Sequence, residues 1–298
     1  MGYLFLTISL ICATAKGYCA KRISAFSNHF SDALSLNLLR MLLCSLLGFA
    51  LVLFQGKQPA LHLDGHSMQC VLWSAISNSA FVVLWLMCAH EDAYMLINVF
   101  LMLGTIVTVA GSALIPALGE TVSVKSIVGL VLMIVSAAFM KHHDQQQMRR
   151  KMSAKSFLLL CITALSSGLY DLSQKYYMKV VPAADATVFS FYTFLFSSAL
   201  LICIKLAFRS PLSLPVSEIR KTILPNIMAM SLFLFGCSFF KTLASARLPS
   251  VYLYPLFQSA SMLLAAIMSS LLLHEAFGIY SIISIIFSLF GVFLIGMT

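Results

Sequence analysis

The chain has 298 residues, of which 60% are apolar and only 10% are charged, and its mean hydropathy is +0.96. Charged residues make up about a quarter of an ordinary soluble protein, so this composition excludes a soluble domain and indicates a protein embedded in the lipid bilayer. The net charge of +9 fits attraction to an anionic cytoplasmic leaflet and gives no support for binding nucleic acid.

Ten apolar segments are each long enough to cross a bilayer, because about 20 residues of helix span about 30 Å of hydrocarbon. Each span must be helical, since the hydrocarbon offers no water to satisfy the backbone. In chain order the segments are residues 2–20, 34–54, 68–89, 93–115, 121–140, 156–177, 185–208, 222–245, 249–273 and 277–297. The sequence therefore predicts an all-α membrane protein of ten transmembrane helices.

One hydrophobic pattern occurs twice in the chain. Residues 93–140 and 248–296 each consist of an apolar segment, a short break with a glutamate, and a second apolar segment. The glutamates, Glu120 and Glu275, lie 155 residues apart, which is about half the chain. Such duplication is typical of solute transporters, whose binding site lies between the repeats.

The boundary between the repeats is predicted at a polar and basic linker, residues 141–155. It separates a first five-helix repeat, residues 1–140, from a second, residues 156–298. Five is an odd number, so the second repeat must enter the membrane from the opposite side. The expected architecture is two inverted five-helix repeats.

Small and acidic residues near the breaks have expected structural roles. A carboxylate such as Glu120 or Glu275 can cap the next helix and favour its positive N-terminal end. Small residues recur near helical spacing on spans 5 and 10, where they allow helices to approach closely. These residues are Gly129, Ser136, Ser281, Ser284, Ser288 and Gly291.

Charged residues inside the spans are the first candidates for a solute site. A charge near the membrane centre costs about 2.5–3.5 kcal/mol, so it usually faces a cavity or a partner. The predicted spans contain four cations, Lys16, Arg40, Lys175 and Lys241, and one clear anion, Asp171. This excess predicts an anionic or zwitterionic solute. The alternatives are that Lys16 and Lys175 extend to the interface and that Arg40 and Lys241 lie close enough to it to be solvated.

Spans 1 and 6 carry related charges. Asp171, Gln174 and Lys175 share one helical face because they are spaced i, i+3, i+4, and the 155-residue offset places Lys16 at the position of Asp171. The pair is predicted to close a gate or balance charge near the symmetry axis. A partly buried carboxylate can titrate near neutral pH, so Asp171 is also the candidate for proton coupling.

Polar residues on spans 4 and 9 are further candidates. Span 4 has Asn98, Thr105, Thr108 and Ser112, and span 9 has Tyr252, Pro255, Gln258 and Ser259. A proline frees backbone groups for a ligand or water, and a tyrosine offers an apolar face and a hydroxyl. Asn98, Tyr252 and Gln258 are therefore expected to contact the solute. Hydrogen bonding between helices is the alternative for Asn98 and the hydroxyl residues.

The repeated break resembles a known family. Leu118-Gly119-Glu120, with Gly129 nine residues after the glutamate, resembles the EamA-type repeat of the drug/metabolite transporter superfamily. Leu273-His274-Glu275 departs from that pattern by having histidine in place of glycine. Pro255 matches a proline common early in the penultimate span, and Arg40 matches an arginine often found early in span 2. The resemblance covers essentially the whole chain.

The resemblance implies a ten-helix transporter of small metabolites, often an exporter, with a cavity lined by spans 1, 3, 4, 6, 8 and 9. On that basis Trp85, in span 3, is expected to line the cavity. The family pattern implies cytoplasmic termini. The loop charges instead place the termini outside, because loops on their side carry four Lys or Arg residues and the opposite loops carry eleven. The expected location is the inner membrane of a bacterial cell.

Motifs for other functions are missing from the sequence. It has no P-loop, no GxSxG motif and no cysteine–histidine cluster, and His90-Glu91 and His274-Glu275 lack the second histidine of a zinc protease. We expect no metal, no cofactor and no enzymatic activity, but secondary transport by alternating access, driven by a proton or a counter-substrate. The alternatives are a sensor or scaffold and, less favoured, an intramembrane enzyme. A transporter should have a polar cavity at mid-depth, where a scaffold would be packed solid.

Overall fold

The computed structural model describes residues 1–26, 29–57, 62–91, 94–121, 123–147, 153–209, 223–272 and 278–296. Within these ranges the chain forms ten α-helices and a short 3-10 helix, with no strand. The helices are α1 (Gly2–Ser24), α2 (Phe30–Phe54), α3 (Gly65–Glu91), α4 (Tyr94–Leu114), α5 (Val124–Gln147), α6 (Ala154–Val180), α7 (Ala186–Ala207), α8 (Leu224–Ser245), α9 (Ser250–Leu272) and α10 (Ile279–Gly296). The predicted all-helical fold is confirmed. Leu273-His274-Glu275 lies outside the described residues.

Eight of these helices, α1–α4 and α6–α9, are long and apolar enough to cross a membrane. In the described residues, α5 and α10 contain shorter apolar stretches, Val124–Ser136 and Ile282–Gly291. Ile127, Val131 and Ile134 are each about half exposed on one side of α5, as expected for a face that contacts lipid. The protein is a multi-pass integral membrane protein.

The chain forms two compact units, and each draws on both halves of the sequence. The first unit consists of Met1–His90 and Ser173–Arg247, and the second of Glu91–Leu172 and Leu248–Thr298. This spatial division differs from the sequence repeats, whose predicted boundary at residues 141–155 stays a prediction.

In the first unit, α1 packs along α8, and α2 packs along α7 and α8. Helices α2 and α7 are also joined at both ends by polar contacts. At one end the Lys57 ammonium lies 2.5 Å from the Asp185 carboxylate. At the other end, Lys205 Nζ donates a hydrogen bond to Ser35 Oγ over 2.6 Å. The two helices are therefore antiparallel neighbours with a polar contact at each end.

Asp185 is expected to make the stability of the α2–α7 pair depend on pH. Its carboxylate caps α7 by accepting hydrogen bonds from the N–H groups of Thr187 and Val188. Burial raises the pKa of this carboxyl, but the hydrogen bonds from Lys57, Val188 and Thr187 outweigh burial, so the pKa lies below its ordinary value. A lowered pKa stabilises the folded state above the ordinary value, about 3.9, and this stabilisation is lost as pH falls through the folded-state pKa.

Asp185→Ala should therefore lower the unfolding free energy by about 0.5–2 kcal/mol near neutral pH, the usual contribution of a helix cap. The difference from wild type should shrink as the pH falls from about 3.9 through the lower pKa of the folded state, where the wild-type carboxyl becomes protonated. Thermal unfolding of both proteins over a pH series measures the effect. A difference that stays constant down to strongly acid pH would contradict this role for the carboxylate.

Two lysines in the first unit make similar contacts between corresponding helices of the two sequence repeats. Lys21, on α1, donates to the carbonyl of Ala89 near the end of α3 over 2.6 Å. Lys175, on α6, donates to the carbonyl of Ser245 at the end of α8 over 3.0 Å. Helices α1 and α6 open the two repeats, and α3 and α8 are the third helix of each. Lysines stabilise the last carbonyls of a helix in this way. The helices correspond in the two repeats, whereas the lysine and the carbonyl are each displaced by one residue from the 155-residue offset.

In the second unit, small residues bring α5 and α10 together as predicted. Ser136 Oγ donates to the carbonyl of Ser284, and Ser284 Oγ donates to the carbonyl of Ser136, both over 2.9 Å. A side-chain carbon added at Gly291 would lie 2.7 Å from the carbonyl oxygen of Gly129. Under the 155-residue offset, Ser136 corresponds to Gly291 and Gly129 to Ser284. The α5–α10 contact is therefore built from two pairs of positions that correspond in the two repeats.

Ser136→Ala should lower stability through the loss of hydrogen bonds to α10. Interhelical hydrogen bonds in membranes contribute about 0.6 kcal/mol on average and about 1.7 at most. Since Ser136 Oγ lies within reach of both Ser284 and Ser288, we expect a loss near the upper value. Unfolding in a mixed-detergent titration measures it. Thr7→Ala is the control, because in the described residues the Thr7 hydroxyl bonds within its own helix, to Tyr3 O. An equal loss in both variants would contradict the interhelical role.

A close crossing between α4 and the first part of α6 also holds the second unit together. A side-chain carbon at Gly104 would lie 2.6 Å from the carbonyl oxygen of Ala164, and one at Gly168 would overlap the carbonyl of Gly104. Thr108 Oγ1 donates to the carbonyl of Gly168 over 3.0 Å. The two backbones touch because neither helix has a side chain at the crossing.

Glu120 caps a helix other than the one considered from the sequence. Its two carboxylate oxygens accept from the backbone N–H of Ser250 over 3.0 and 3.1 Å. Ser250 begins α9, whereas the helix that follows Glu120 in the chain is α5, which begins at Val124. The expected favourable charge at a positive helix end is present, but it comes from a segment distant in sequence.

Candidate functional site

The first unit contains a pocket among α1, α2, α3 and α8. Its cavity volume is about 10 Å³, room for roughly one water molecule and far below the range of about 300–1,000 Å³ usual for ligand pockets. The residues that line it are Lys16, Ala20, Arg40, Phe81, Val82, Trp85 and Leu234. The pocket brings together three residues that the sequence predicted as parts of the solute site: Lys16, Arg40 and Trp85.

Arg40 lies near the middle of its helix. It is ten residues after the first residue of α2 and fourteen before the last, or about 15 and 21 Å from the two ends at 1.5 Å per residue. Only 3% of its surface is exposed. This position argues against the alternative that Arg40 is solvated at the interface.

The Arg40 guanidinium lacks the partners that a buried charge requires. Nη1 lies 3.7 Å from Met230 Sδ, and a thioether sulfur is a weak acceptor. Nε and Nη2 are both buried and have no hydrogen-bond partner within the described part of the chain. Two strong donors of a residue that lines the pocket therefore have no acceptor within the described part of the chain.

The guanidinium cannot relieve its burial by losing its proton. A buried lysine can become neutral, whereas arginine remains charged in proteins. A buried and unpaired charge is unfavourable, and an anion that enters the pocket removes this penalty. The planar fork of the guanidinium matches carboxylate and phosphate groups, which it binds through two parallel hydrogen bonds.

Lys16 and the aromatic residues complete the pocket wall. The Lys16 ammonium lies 5.8 Å from the centroid of the Phe81 ring, within the distance of a cation–π interaction. Trp85 is 7% exposed and lies one helical turn beyond Phe81 on α3. The pocket thus combines two cationic side chains with two aromatic rings, which suits an organic anion with an apolar body.

Two further predicted residues, Gln174 and Lys175, lie in the first unit but do not line this pocket. Gln174 is fully buried, its Nε2 lies 3.3 Å from Ser238 Oγ, and its Oε1 has no partner among the described residues. The Lys175 ammonium contacts the end of α8 through Ser245, as described above.

The other four predicted residues, Asn98, Asp171, Tyr252 and Gln258, lie in the second unit. Asn98 Nδ2 donates to Tyr94 O within its own helix over 2.7 Å. Asp171 and Gln258 are 7% and 8% exposed, and Tyr252 is half-buried. Lys16 and Asp171 belong to different units, and their predicted pairing stays a prediction.

The polar stripe of span 4 takes part in contacts between helices. Thr105 Oγ1 lies 3.5 Å from Met133 Sδ of α5. Thr108 reaches Gly168 of α6, and Ser112 Oγ donates to Ser250 Oγ of α9 over 3.0 Å. Helix-to-helix bonding, the alternative considered from the sequence, accounts for these three hydroxyls.

Two buried polar residues near the predicted ones were missed. Tyr254, which is 1% exposed, donates its hydroxyl to the backbone carbonyl of Asp171 over 2.7 Å. Asn37, one turn before Arg40 on α2, is also 1% exposed. The sequence shows that Asn37 lies three residues before Arg40. Asn37 was not selected because the candidates on this span were chosen by charge, and its amide is uncharged. Among the described residues, no group of three metal-binding side chains occurs.

Comparisons with known proteins agree with this architecture. The model of the EamA-like transporter family matches residues 154–297, which confirms the resemblance seen in the sequence. A protein of known crystal structure is similar over 98% of this chain and 95% of its own, with a TM-score of 0.72 and 13% sequence identity. At that identity the likeness shows the fold alone. The comparison with curated proteins gives no match.

Proposed function

Because residues 154–297 match the model of the EamA-like transporter family, we propose that this protein is a secondary transporter of a small anionic or zwitterionic organic solute. The family consists of membrane transporters, which fits a protein without enzymatic activity. In the proposed mechanism, the protein alternates between inward- and outward-facing states and acts as an exporter or exchanger. Its proposed location is the inner membrane of a bacterial cell.

One observation carries the choice of solute: Arg40 lines a pocket, and two donors of its buried guanidinium have no partner among the residues that the structure describes. A structural arginine would have acceptors from the protein. An arginine that is costly without a ligand is instead expected where a ligand supplies the missing charge. This combination favours solute binding over the sensor or scaffold alternative.

In this proposal Arg40 holds the carboxylate or phosphate of the solute, and Lys16 adds a second positive charge. Phe81 and Trp85 pack against its apolar part. The remaining predicted contacts, Asn98, Gln174, Lys175, Tyr252 and Gln258, are proposed to act at other stages of transport. Asp171 is the proposed proton-coupling group, and exchange for a counter-substrate is the alternative source of energy.

The test is a comparison of matched ligands on the purified full-length protein. A panel of small carboxylates and organic phosphates, each paired with its uncharged amide or ester, is screened by thermal shift. A ligand at about 100 times its Kd stabilises the folded state by about 2.7 kcal/mol. We expect the anions to stabilise the protein and their neutral partners to leave it unchanged.

Proteoliposomes then establish transport of any anion that binds. We expect preloaded anion to exchange for labelled anion, and net movement to respond to a proton gradient. Asp171→Asn should abolish the response to the gradient and spare exchange if Asp171 is the coupling group. If no anion binds, or if neutral partners bind equally well, the proposed solute class is wrong.

A further inference from the structure

The pocket lined by Lys16 and Arg40 is much too small for an organic solute in this conformation. Its cavity volume of about 10 Å³ corresponds to roughly one water molecule. Even a short organic acid has several non-hydrogen atoms and requires a larger cavity. The pocket in this conformation can therefore hold a single small species, either a water molecule or a monatomic ion.

The side chains that line the pocket favour an anion over water. Two of the seven lining residues are cationic, Lys16 and Arg40, and the other five are uncharged: Ala20, Phe81, Val82, Trp85 and Leu234. A charge in a low-dielectric environment is strongly stabilised by an opposite charge at short distance. A water molecule carries no net charge, and a metal cation would be repelled by these side chains. The monatomic species that the lining favours is therefore an anion.

The described side chains that contact Arg40 bring no negative charge to it. Nη1 lies 3.7 Å from Met230 Sδ, and Nε and Nη2 have no partner among the residues that the structure describes. Cys44, one turn after Arg40 on α2, donates its thiol proton to the carbonyl of Ser231 over 3.3 Å, so it is a neutral thiol. The guanidinium keeps its charge when buried, and burial without a partner is unfavourable. An anion in the pocket would offset this penalty.

We propose that this pocket is a chloride site, in which the ion balances the charge of Arg40 and is attracted by Lys16 as well. A monatomic anion fits the small cavity, and it accepts hydrogen bonds from any direction, so no further polar group is needed to orient it. The inference goes beyond the proposed function, because chloride can occupy the pocket whether or not the protein transports an organic anion. An organic anion that uses Arg40 would have to displace the chloride from an enlarged pocket.

The size of the cavity should determine which anions bind. Bromide is only slightly larger than chloride and should replace it, whereas methanesulfonate and gluconate are polyatomic and should not enter. Purified full-length protein is compared in sodium salts of the four anions at one ionic strength, so that screening is the same in all of them. A ligand that binds only the folded state stabilises it. We expect a Tm that is a few degrees higher in either halide than in the polyatomic anions.

Trp85 provides a direct measurement of binding because it lines the pocket. The chain has two tryptophans, Trp73 and Trp85, so Trp73→Phe leaves Trp85 as the only indole. Bromide quenches indole fluorescence on contact, and Trp85 is only 7% exposed, so quenching by random collision should be weak. Titration with bromide at constant ionic strength should therefore give quenching that saturates, and added chloride should reverse it.

Two variants of the Trp73→Phe protein test which cation holds the ion. Arg40→Met should abolish the saturable quenching and the difference in Tm between chloride and gluconate. Lys241→Met is the matched control, because Lys241 is another buried cation of the same unit, 7% exposed, that is not among the lining residues. This variant should retain both effects.

Each remaining outcome would overturn the chloride site. Quenching that rises linearly with bromide, together with equal Tm values in all four salts, would show that the pocket holds water. Saturable quenching that survives Arg40→Met would place the halide elsewhere, and reversal by methanesulfonate or gluconate would contradict the size limit. The salt comparison on wild-type protein decides the matter even if a variant does not fold. Halide binding without binding of any organic anion would support the inference and contradict the proposed function, and the converse result would do the reverse.

Discussion

Arg40→Met is expected to raise the stability of the ligand-free protein and to abolish binding of organic anions. The wild-type guanidinium is 3% exposed and two of its nitrogens have no partner among the described residues. Methionine fills a similar volume without charge, so the substitution removes the desolvation penalty and keeps the packing. Replacement of buried charges by apolar residues can stabilise a protein by about 1–4 kcal/mol, and we expect a gain in this range.

The loss of binding should be at least as large as the gain in stability. Removal of one partner from a buried, hydrogen-bonded charge pair costs about 2–5 kcal/mol, which corresponds to a loss of affinity of about 30-fold to several thousandfold. Thermal unfolding without ligand and calorimetry with the anion identified above measure the two effects. Arg40→Lys should retain part of the affinity, since lysine keeps the charge but loses the planar fork.

Lys175→Met is the control for the stability effect. Lys175 is also a buried cation, 4% exposed, but its ammonium donates to the Ser245 carbonyl. Its removal leaves the end of α8 without that donor, so this variant should be less stable than wild type. A gain in stability for Arg40→Met and a loss for Lys175→Met would distinguish an arginine that is paired only when a ligand binds from a lysine that stabilises a helix end. A fall in stability for Arg40→Met would show that the guanidinium is paired within the protein.

Gly168→Leu should prevent assembly of the second unit. Even one side-chain carbon at Gly168 would overlap the backbone carbonyl of Gly104 on the facing helix. Overpacking of a core costs about 1–3 kcal/mol when side chains can adjust, but here the obstacle is backbone and both helices must move apart. We expect a loss above that range, with little folded protein recovered.

A graded series makes this prediction measurable. Gly168→Ala should fold with a loss of about 3 kcal/mol, readable by detergent unfolding and by loss of monodispersity. Gly65→Ala is the control, because a carbon added at the first residue of α3 meets no atom within 4 Å. If Gly168→Ala unfolds like wild type, the close crossing of α4 and α6 is not present in the membrane.

The helices could be predicted because the bilayer imposes one simple requirement, a long apolar segment. Segment 93–115 corresponds to α4, Tyr94–Leu114, and segment 222–245 to α8, Leu224–Ser245. The prediction ended α1 at residue 20, whereas the helix runs to Ser24 and includes Lys21 and Arg22. Hydropathy shows where the apolar residues end. The helix continues beyond that point as long as its backbone hydrogen bonds continue.

The contacts between helices were not predictable from the same pattern. Glu120 suggested a helix cap, but nothing in the sequence indicated that the capped helix would be α9. The charges of Lys16 and Arg40 inside predicted spans indicated a site, because burial of a charge is costly and a charged residue in an apolar segment can be recognised from the sequence alone. Their convergence with Trp85 in one pocket depends on how α1, α2 and α3 pack, which the spacing along each helix does not determine.

The composition of the two units has a consequence for biogenesis. The first unit is complete only after Ser173–Arg247 has been synthesised, because that segment packs with Met1–His90. Leu234 of α8 lines the Arg40 pocket, and Met230 of the same helix lies against the guanidinium. While the ribosome is still translating the second half, the buried arginine therefore lacks part of its surroundings. The insertion machinery or a chaperone must shelter the early helices until α8 emerges, and ribosome stalling before that point should leave a nascent chain that membrane quality-control proteases recognise.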